Sequence, residues 1–285
     1  MSVTLLGGAE VMAGPLPADA TAAAVKPAAS QAADLASARV AARLSGQRVE
    51  ALSERTETST TWVNKDGSLT TELSAGPVRF RDAVTGVWRD VDVALAARRV
   101  GSVASKAHPQ GLTLAGRTGA PARSLLAARS APAIGLVTLG QGEERITLQW
   151  RGGLPAPKVD GTRATYADAV PGADVVVEAT CTGFEQFVEI RTRPDAGSSC
   201  TLPLKSKGLK VRQQPDGSVL FTDRKSKKTA VMPAPVMWDA TVDPVSGEHT
   251  RQVKVGMKVV TTKDGVDLTL TPDADSSPIR RRSTR

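Results

Sequence analysis

From Ile134 onward, apolar and polar residues alternate with a period of two. Ile146, Leu148 and Trp150 are interleaved with Arg145, Thr147, Gln149 and Arg151. Val188 and Ile190 alternate with Glu189 and Arg191. Val253, Val255, Met257 and Val259 alternate with Lys254, Gly256 and Lys258, and Val266, Leu268 and Leu270 with Asp267, Thr269 and Thr271. Successive side chains of a strand point to opposite faces, so this pattern describes strands with one face in a core and one in water, the habit of antiparallel sheets. Turn signals separate the runs: Asp160-Gly161, Pro171-Gly172, Thr182-Gly183, Asp216-Gly217, Ser246-Gly247 and Asp264-Gly265. Many short strands joined by such turns predict an all-β chain with an antiparallel, sandwich-like architecture. No alternation of strands with helices is present, which excludes doubly wound and α/β-barrel folds.

Ahead of residue 134 the signal is weaker. Residues 1–30 are expected to be a signal-peptide remnant or disordered. Ala18-Asp19-Ala20 has the small-x-small form of an export cleavage site, although no basic segment precedes it. Within 31–46, QAADLASARVAARL is rich in helix formers, with Leu35, Val40 and Leu44 near one face and Gly46 to end the helix. Residues 47–115 read as a small β region. In it, Thr58–Val63 and Ser68–Leu73 flank Asn64-Lys65-Asp66-Gly67, a hairpin signal. From 94 to 133 the pattern dissolves into Ala, Ser, Gly and Pro with scattered arginines, strand-like only at Gly111–Ala115, and 116–133 is assigned as a linker. Residues 134–272 form the main β domain, and 273–285 a disordered basic tail.

The formal charge is +8, and four of the positive charges are Arg280, Arg281, Arg282 and Arg285 at the end. Lys205, Lys207, Lys210, Arg224, Lys225, Lys227 and Lys228 form a loose basic cluster. Aromatic residues are not interleaved with it, so no nucleic-acid partner is expected. No apolar run is long enough to span a bilayer. Cys181 and Cys200 are the two cysteines. Their separation fits no paired zinc spacing, and they are open to two readings, a disulfide in an exported chain or two buried thiols.

Catalytic constellations are scarce. His108 precedes Pro109 in the linker and His249 lies beside the Ser246-Gly247 turn, neither in a nucleophile or metal motif. Asp90 with Asp92, Asp168 with Asp174, and Glu178 with Glu185 and Glu189 are the carboxylate groupings, read as solvent-facing strand and turn acids. Asp90-Val91-Asp92 and Asp273-Ala274-Asp275 are acidic enough for weak Ca²⁺ binding but lack the loop motif. Trp62, Trp88, Trp150 and Trp238 are dispersed and read as core plugs. No motif requires a cofactor.

Four phrases carry a resemblance: RTETSTTWVNKDGSLTTELSAGPVRFRD, GVWRDVDVAL, LQWRGGLPAPKVDGTRATYADAVPGADVVVEATCTGFEQFVEI and PAPVMWDA. Across about residues 48–272 the chain resembles the N-terminal region of very large secreted actinobacterial proteins. In these, such a region precedes a DNRLRE-type domain and often RHS/YD repeats, sometimes ending in a toxin. The resemblance is most specific from Leu154 through Ile190 and assigns no catalytic residue. It implies a secreted or surface-associated, non-catalytic presentation module, not an enzyme, with downstream domains of a longer polypeptide or cell-wall components as partners. The alternatives are a wall- or carbohydrate-binding module and, behind it, a glycosidase-like enzyme. SSPIRRRSTR lacks strand logic, which predicts a truncated copy. Tyr166 is expected to hydrogen-bond a backbone group from a buried corner.

Overall fold

Short strands, nearly all in antiparallel pairs, make up most of the chain, as a two-residue alternation requires. The computed structural model describes residues 30–98, 101–123, 125–142, 144–191, 199–223, 229–263 and 265–272. The expected export remnant through residue 29 and the basic tail from residue 273 lie outside them. So do Arg224, Lys225, Lys227 and Lys228 of the basic cluster, and Asp273 and Asp275. The chain divides into two units, Met1–Arg55 with Thr60–Thr71, and Thr56–Ser59 with Glu72–Arg285.

In the first unit, β1 (Gln31–Ala32), β2 (Val49–Ala51), β3 (Ser59–Val63) and β4 (Leu69–Leu73) form a sheet in that order. Between β1 and β2 runs α1 (Leu35–Ser45). The Asp34 carboxylate accepts from the Ser37 N–H at 2.8 Å and caps its start. Gly46, at φ 69°, ends it by donating its N–H to the Ala42 carbonyl. The helix begins later than the helix formers suggest because Gln31 and Ala32 pair with Glu50 and Ala51. Its buried stripe is Ala38 and Ala42, packed on Val49, Ala51 and Val63, whereas Val40 and Leu44 are exposed. Small side chains let the helix lie close on the strands; of the expected Leu–Val face only Leu35 packs against this cluster, while Val40 and Leu44 turn to water. Glu50 is buried, and its carboxylate accepts from Arg55 Nε at 2.6 Å and Gln31 Nε2 at 3.1 Å, which offsets the cost of a buried charge. The Asn64–Gly67 hairpin forms as expected, with Gly67 at φ 86°.

The second unit starts with a hairpin, β5 (Arg79–Arg81) and β6 (Trp88–Asp90). Five strands follow: β7 (Asp92–Ala97), β8 (Val103–Ala107), β9 (Leu112–Leu114), β10 (Ala133–Gln141) and β11 (Glu144–Arg151), with α2 (Leu125–Ser130) ahead of β10. A four-stranded sheet comes next, β12 (Lys158–Asp160), β13 (Arg163–Val170), β14 (Ala173–Ala179) and β15 (Phe184–Ile190). After β16 (Cys200–Lys207), β17 (Leu209–Gln213), β18 (Val219–Asp223) and β19 (Thr229–Met232) make a three-stranded sheet. β20 (Val236–Trp238) pairs with β21 (Gln252–Lys254), and β22 (Gly256–Thr262) with β23 (Gly265–Thr271). The largest sheet has eight strands in the order β22-β23-β16-β11-β10-β9-β8-β7.

One face of the eight-stranded sheet supplies Leu114, Leu148, Trp150, Leu204 and Leu268 to a core. The four-stranded sheet adds Tyr166, Val175 and Val177, and the three-stranded sheet adds Val219 and Phe221. This is a sandwich-like arrangement. Tyr166 is fully buried, and its hydroxyl donates to the Ala115 carbonyl at 2.5 Å, the backbone bond expected of it. Burial pushes its phenol pKa well up. At the outer end of the sheet, Gln213 donates from Nε2 to the Met257 carbonyl at 2.7 Å and accepts from the Val259 N–H at 3.3 Å.

Three sequence readings change. The stretch from 94 to 115 is not loose: β7, β8 and β9 are regular members of the large sheet. Its strands are masked because Val103, Ala104 and Ser105 are all buried, so small residues face inward on both sides and no alternation shows. The run Val253 to Val259 is split, since Val253 pairs with Met237 in a separate ribbon while Met257 and Val259 join the large sheet. Ile190 is 52% exposed because it ends β15, an edge strand.

Candidate functional site

Two of the three carboxylate groupings form, Asp168 with Asp174 and Glu178 with Glu185 and Glu189, and arginines pair with Asp168, Asp174, Glu178 and Glu189. The β13–β14 turn brings the Asp174 carboxylate to the Asp168 N–H at 2.7 Å, with Asp168 held at φ 50°. Arg191 reaches back to Asp174 at 2.6 Å and also bonds Asp168. The Asp168 N–H first, and then Arg191, hold the Asp174 carboxyl below the usual carboxylate range. On the same sheet Glu178 stands opposite Glu185 and Asp174 opposite Glu189, and Arg163 bridges Glu178 and Glu189. Asp90 and Asp92, expected on one strand face, fall on different strands. Among the described residues no group of three or more His, Cys, Asp or Glu side chains is placed to hold a metal ion.

His108 is 4% exposed. Its Nε2 lies 3.0 Å from the Thr180 carbonyl, which can only accept, so Nε2 carries the proton. Nδ1 accepts from the Gln110 N–H at 3.1 Å. Both nitrogens are engaged and the ring is neutral. Burial holds its pKa below the ordinary histidine value. In the unfolded chain the ring regains its ordinary pKa near ~6.5 and takes up a proton that the folded ring resists. The stability linked to this site is therefore present above that value and is lost as pH falls from there towards the folded pKa. Thermal unfolding of wild type and His108→Gln at pH 7 and pH 5 checks this. The wild type is expected to lose more stability than the variant on acidification, and equal losses would sink the assignment.

His249 is half-buried beside β20. Its ring lies 5.4 Å from that of Trp238, which meets Phe187 edge-on at 5.7 Å. No disulfide joins Cys181 to Cys200, so of the two readings the structure has the unbridged one. Cys200 pairs with Leu270 in the large sheet, while the Cys181 sulfur lies against Gly76, where a Cβ would be only 2.5 Å from it.

Of the four tryptophans expected as core plugs, only Trp150 is buried. Arg48 lies over Trp62 at 4.4 Å. In the β5–β6 hairpin, Arg81 lies over Trp88 at 4.2 Å and Arg89 over Phe80 at 5.7 Å. Arginine and aromatic rings are thus interleaved in space. The linear sequence hides this because Phe80–Arg89 and Arg81–Trp88 are cross-strand partners. No helix among the described residues is long and apolar enough to cross a membrane.

No family model and no solved structure matches the chain. Three curated proteins are similar to it. A tRNA(Glu)-specific nuclease WapA of Bacillus subtilis subsp. natto is 34% identical over 118 residues, 41% of this chain and 5% of the relative. A tRNA3(Ser)-specific nuclease WapA of Bacillus spizizenii and a tRNA nuclease WapA of Bacillus subtilis are each 26% identical over 230 residues, 79% of this chain and 10% of the relative. The chain therefore spans 5% to 10% of the length of the curated relatives it matches. These relatives overturn three expectations: a non-catalytic presentation or wall-binding module, a protein that is not an enzyme, and the absence of a nucleic-acid partner. All three relatives are named as nucleases acting on tRNA. No local catalytic signature in the sequence points there; the similarity is spread over 230 residues.

Proposed function

We propose that this chain is part of a tRNA nuclease similar to WapA, a protein that cleaves phosphodiester bonds of transfer RNA. The similarity to two WapA proteins over 79% of the chain carries the reading. The surplus of basic residues and the arginine–aromatic pairs of the β5–β6 hairpin suit a polyanionic, base-bearing substrate. The resemblance to exported proteins that precede RHS repeats and can end in a toxin accords with it, and we propose export as the setting in which the protein works.

The test is direct. Protein purified from its own host is incubated with a total tRNA pool, and products are resolved on a sequencing gel. Discrete fragments from one or a few tRNAs are the expected result. A pool that stays intact at equimolar protein over hours overturns the proposal.

A further inference from the structure

β11 turns Ile146, Leu148 and Trp150 into the core, so Arg145, Thr147, Gln149 and Arg151 stand on the opposite face of the eight-stranded sheet. In β16, Leu202 and Leu204 point inward and Lys205 and Lys207 outward. The register sets Arg145 opposite Lys207 and Thr147 opposite Lys205. Lys258 of β22 faces Thr269 of β23 on this same side. Arg145, Lys205, Lys207 and Lys258 are all exposed. Asp267 also stands on this face, and Arg151 engages it at 3.7 Å. A row of hydroxyls runs into the cations, with Thr113 opposite Thr138, and Thr138 Oγ1 3.0 Å from Thr147 Oγ1.

This face is not flat. Between β11, β16 and β23 it dips into a concavity of about 280 Å³ lined by Arg151, Lys205, Gln149, Thr262 and Asp267 among others. Gln149 is only 7% exposed there, a polar side chain set in the floor. Beside the carboxylate of Asp267, which Arg151 engages, and an apolar lining, the hollow presents Lys205, the Gln149 amide and the Thr262 hydroxyl, donors that phosphate and ribose oxygens take.

We infer that this open face, centred on Lys205, binds the sugar–phosphate backbone of RNA. The inference rests on the nuclease reading for the choice of RNA as the polyanion. Its contacts go to phosphate and sugar, so it contributes affinity and salt dependence rather than sequence choice.

Equilibrium binding of the intact protein to fluorescent tRNA over a salt series tests it. The double variant Arg145→Glu/Lys205→Glu is compared with Arg39→Glu/Lys65→Glu, an equal charge change at exposed sites outside this sheet. The first is expected to weaken binding about tenfold or more at low salt and to lower the salt slope by about 2. The second is expected to change affinity far less, and circular dichroism confirms that both variants fold. Equal losses in the two variants, or none in the first, overturn the inference. So does competition by inorganic polyphosphate as effective as that by tRNA at matched charge. Intact tRNA in the cleavage assay, with binding still lost only in the first variant, removes the nuclease reading and leaves the surface. Cleavage with binding unmoved by that variant removes the surface alone.

Discussion

Tyr166→Ala is expected to lower the unfolding free energy of the second unit by about 4 to 5 kcal/mol, because a fully buried aromatic ring is lost and the site is walled by strands that cannot collapse into the gap. The ring sits in β13, and its hydroxyl donates across to the Ala115 carbonyl, so one side chain joins the four-stranded sheet to the segment that follows β9. Tyr166→Phe separates the two effects. It keeps the ring and leaves Ala115 without that donor, a loss of about 1 to 3 kcal/mol. Urea unfolding followed by tryptophan fluorescence measures both. Native domains of this size are stable by roughly 5 to 15 kcal/mol, so the alanine variant stands close to its threshold. An alanine variant within about 1 kcal/mol of wild type would show that the core does not depend on this corner.

Gly265→Ala is expected to cost about 3 kcal/mol and to loosen the outer end of the large sheet selectively. Gly265 opens β23 at φ 156°, a conformation that residues with a Cβ rarely adopt. A Cβ built there would lie 2.1 Å from the Leu204 carbonyl oxygen and 3.0 Å from the Lys205 Cα. These neighbours are backbone, so no side chain can swing aside, and β23 must move away from β16. Hydrogen exchange is the readout. Amides of β22, β23 and β16 are expected to lose protection while those of β13 and β14 keep theirs. Uniform change, or none, would count against a local clash.

Much of this fold is legible in residue order because half-buried strands write their faces into the sequence. β11 and β23 show it: Leu148 and Trp150, Val266 and Leu268 are buried as the alternation requires. Turn chemistry was equally readable at Asn64–Gly67. What stayed hidden depends on partners rather than periods. The Ala38–Ala42 stripe of α1 has no large apolar side chain to announce it. Strand β8 is buried on both faces by residues small enough to resemble a linker. The arginine–aromatic pairs exist only once β5 and β6 are in register, so the linear order of residues does not display them. The basic face of the large sheet is likewise assembled from β11, β16 and β22, far apart in sequence. As for activity, His108 is spent on Thr180 and Gln110, and the similarity to tRNA nucleases, not a local signature, opened that reading.

An outermost strand offers unpaired backbone groups on which another chain can be templated. On β22 the primary amide of Gln213 imitates a peptide group, presenting one donor and one acceptor to Met257 and Val259. The midpoint of that rim is thereby occupied from within the same molecule. A second copy meeting it finds no continuous ladder to extend, so crowding many copies together favours separate molecules over strand-by-strand fibre growth. A single uncharged side chain thus interrupts the β22 edge of the eight-stranded sheet, whose other outer strand is β7.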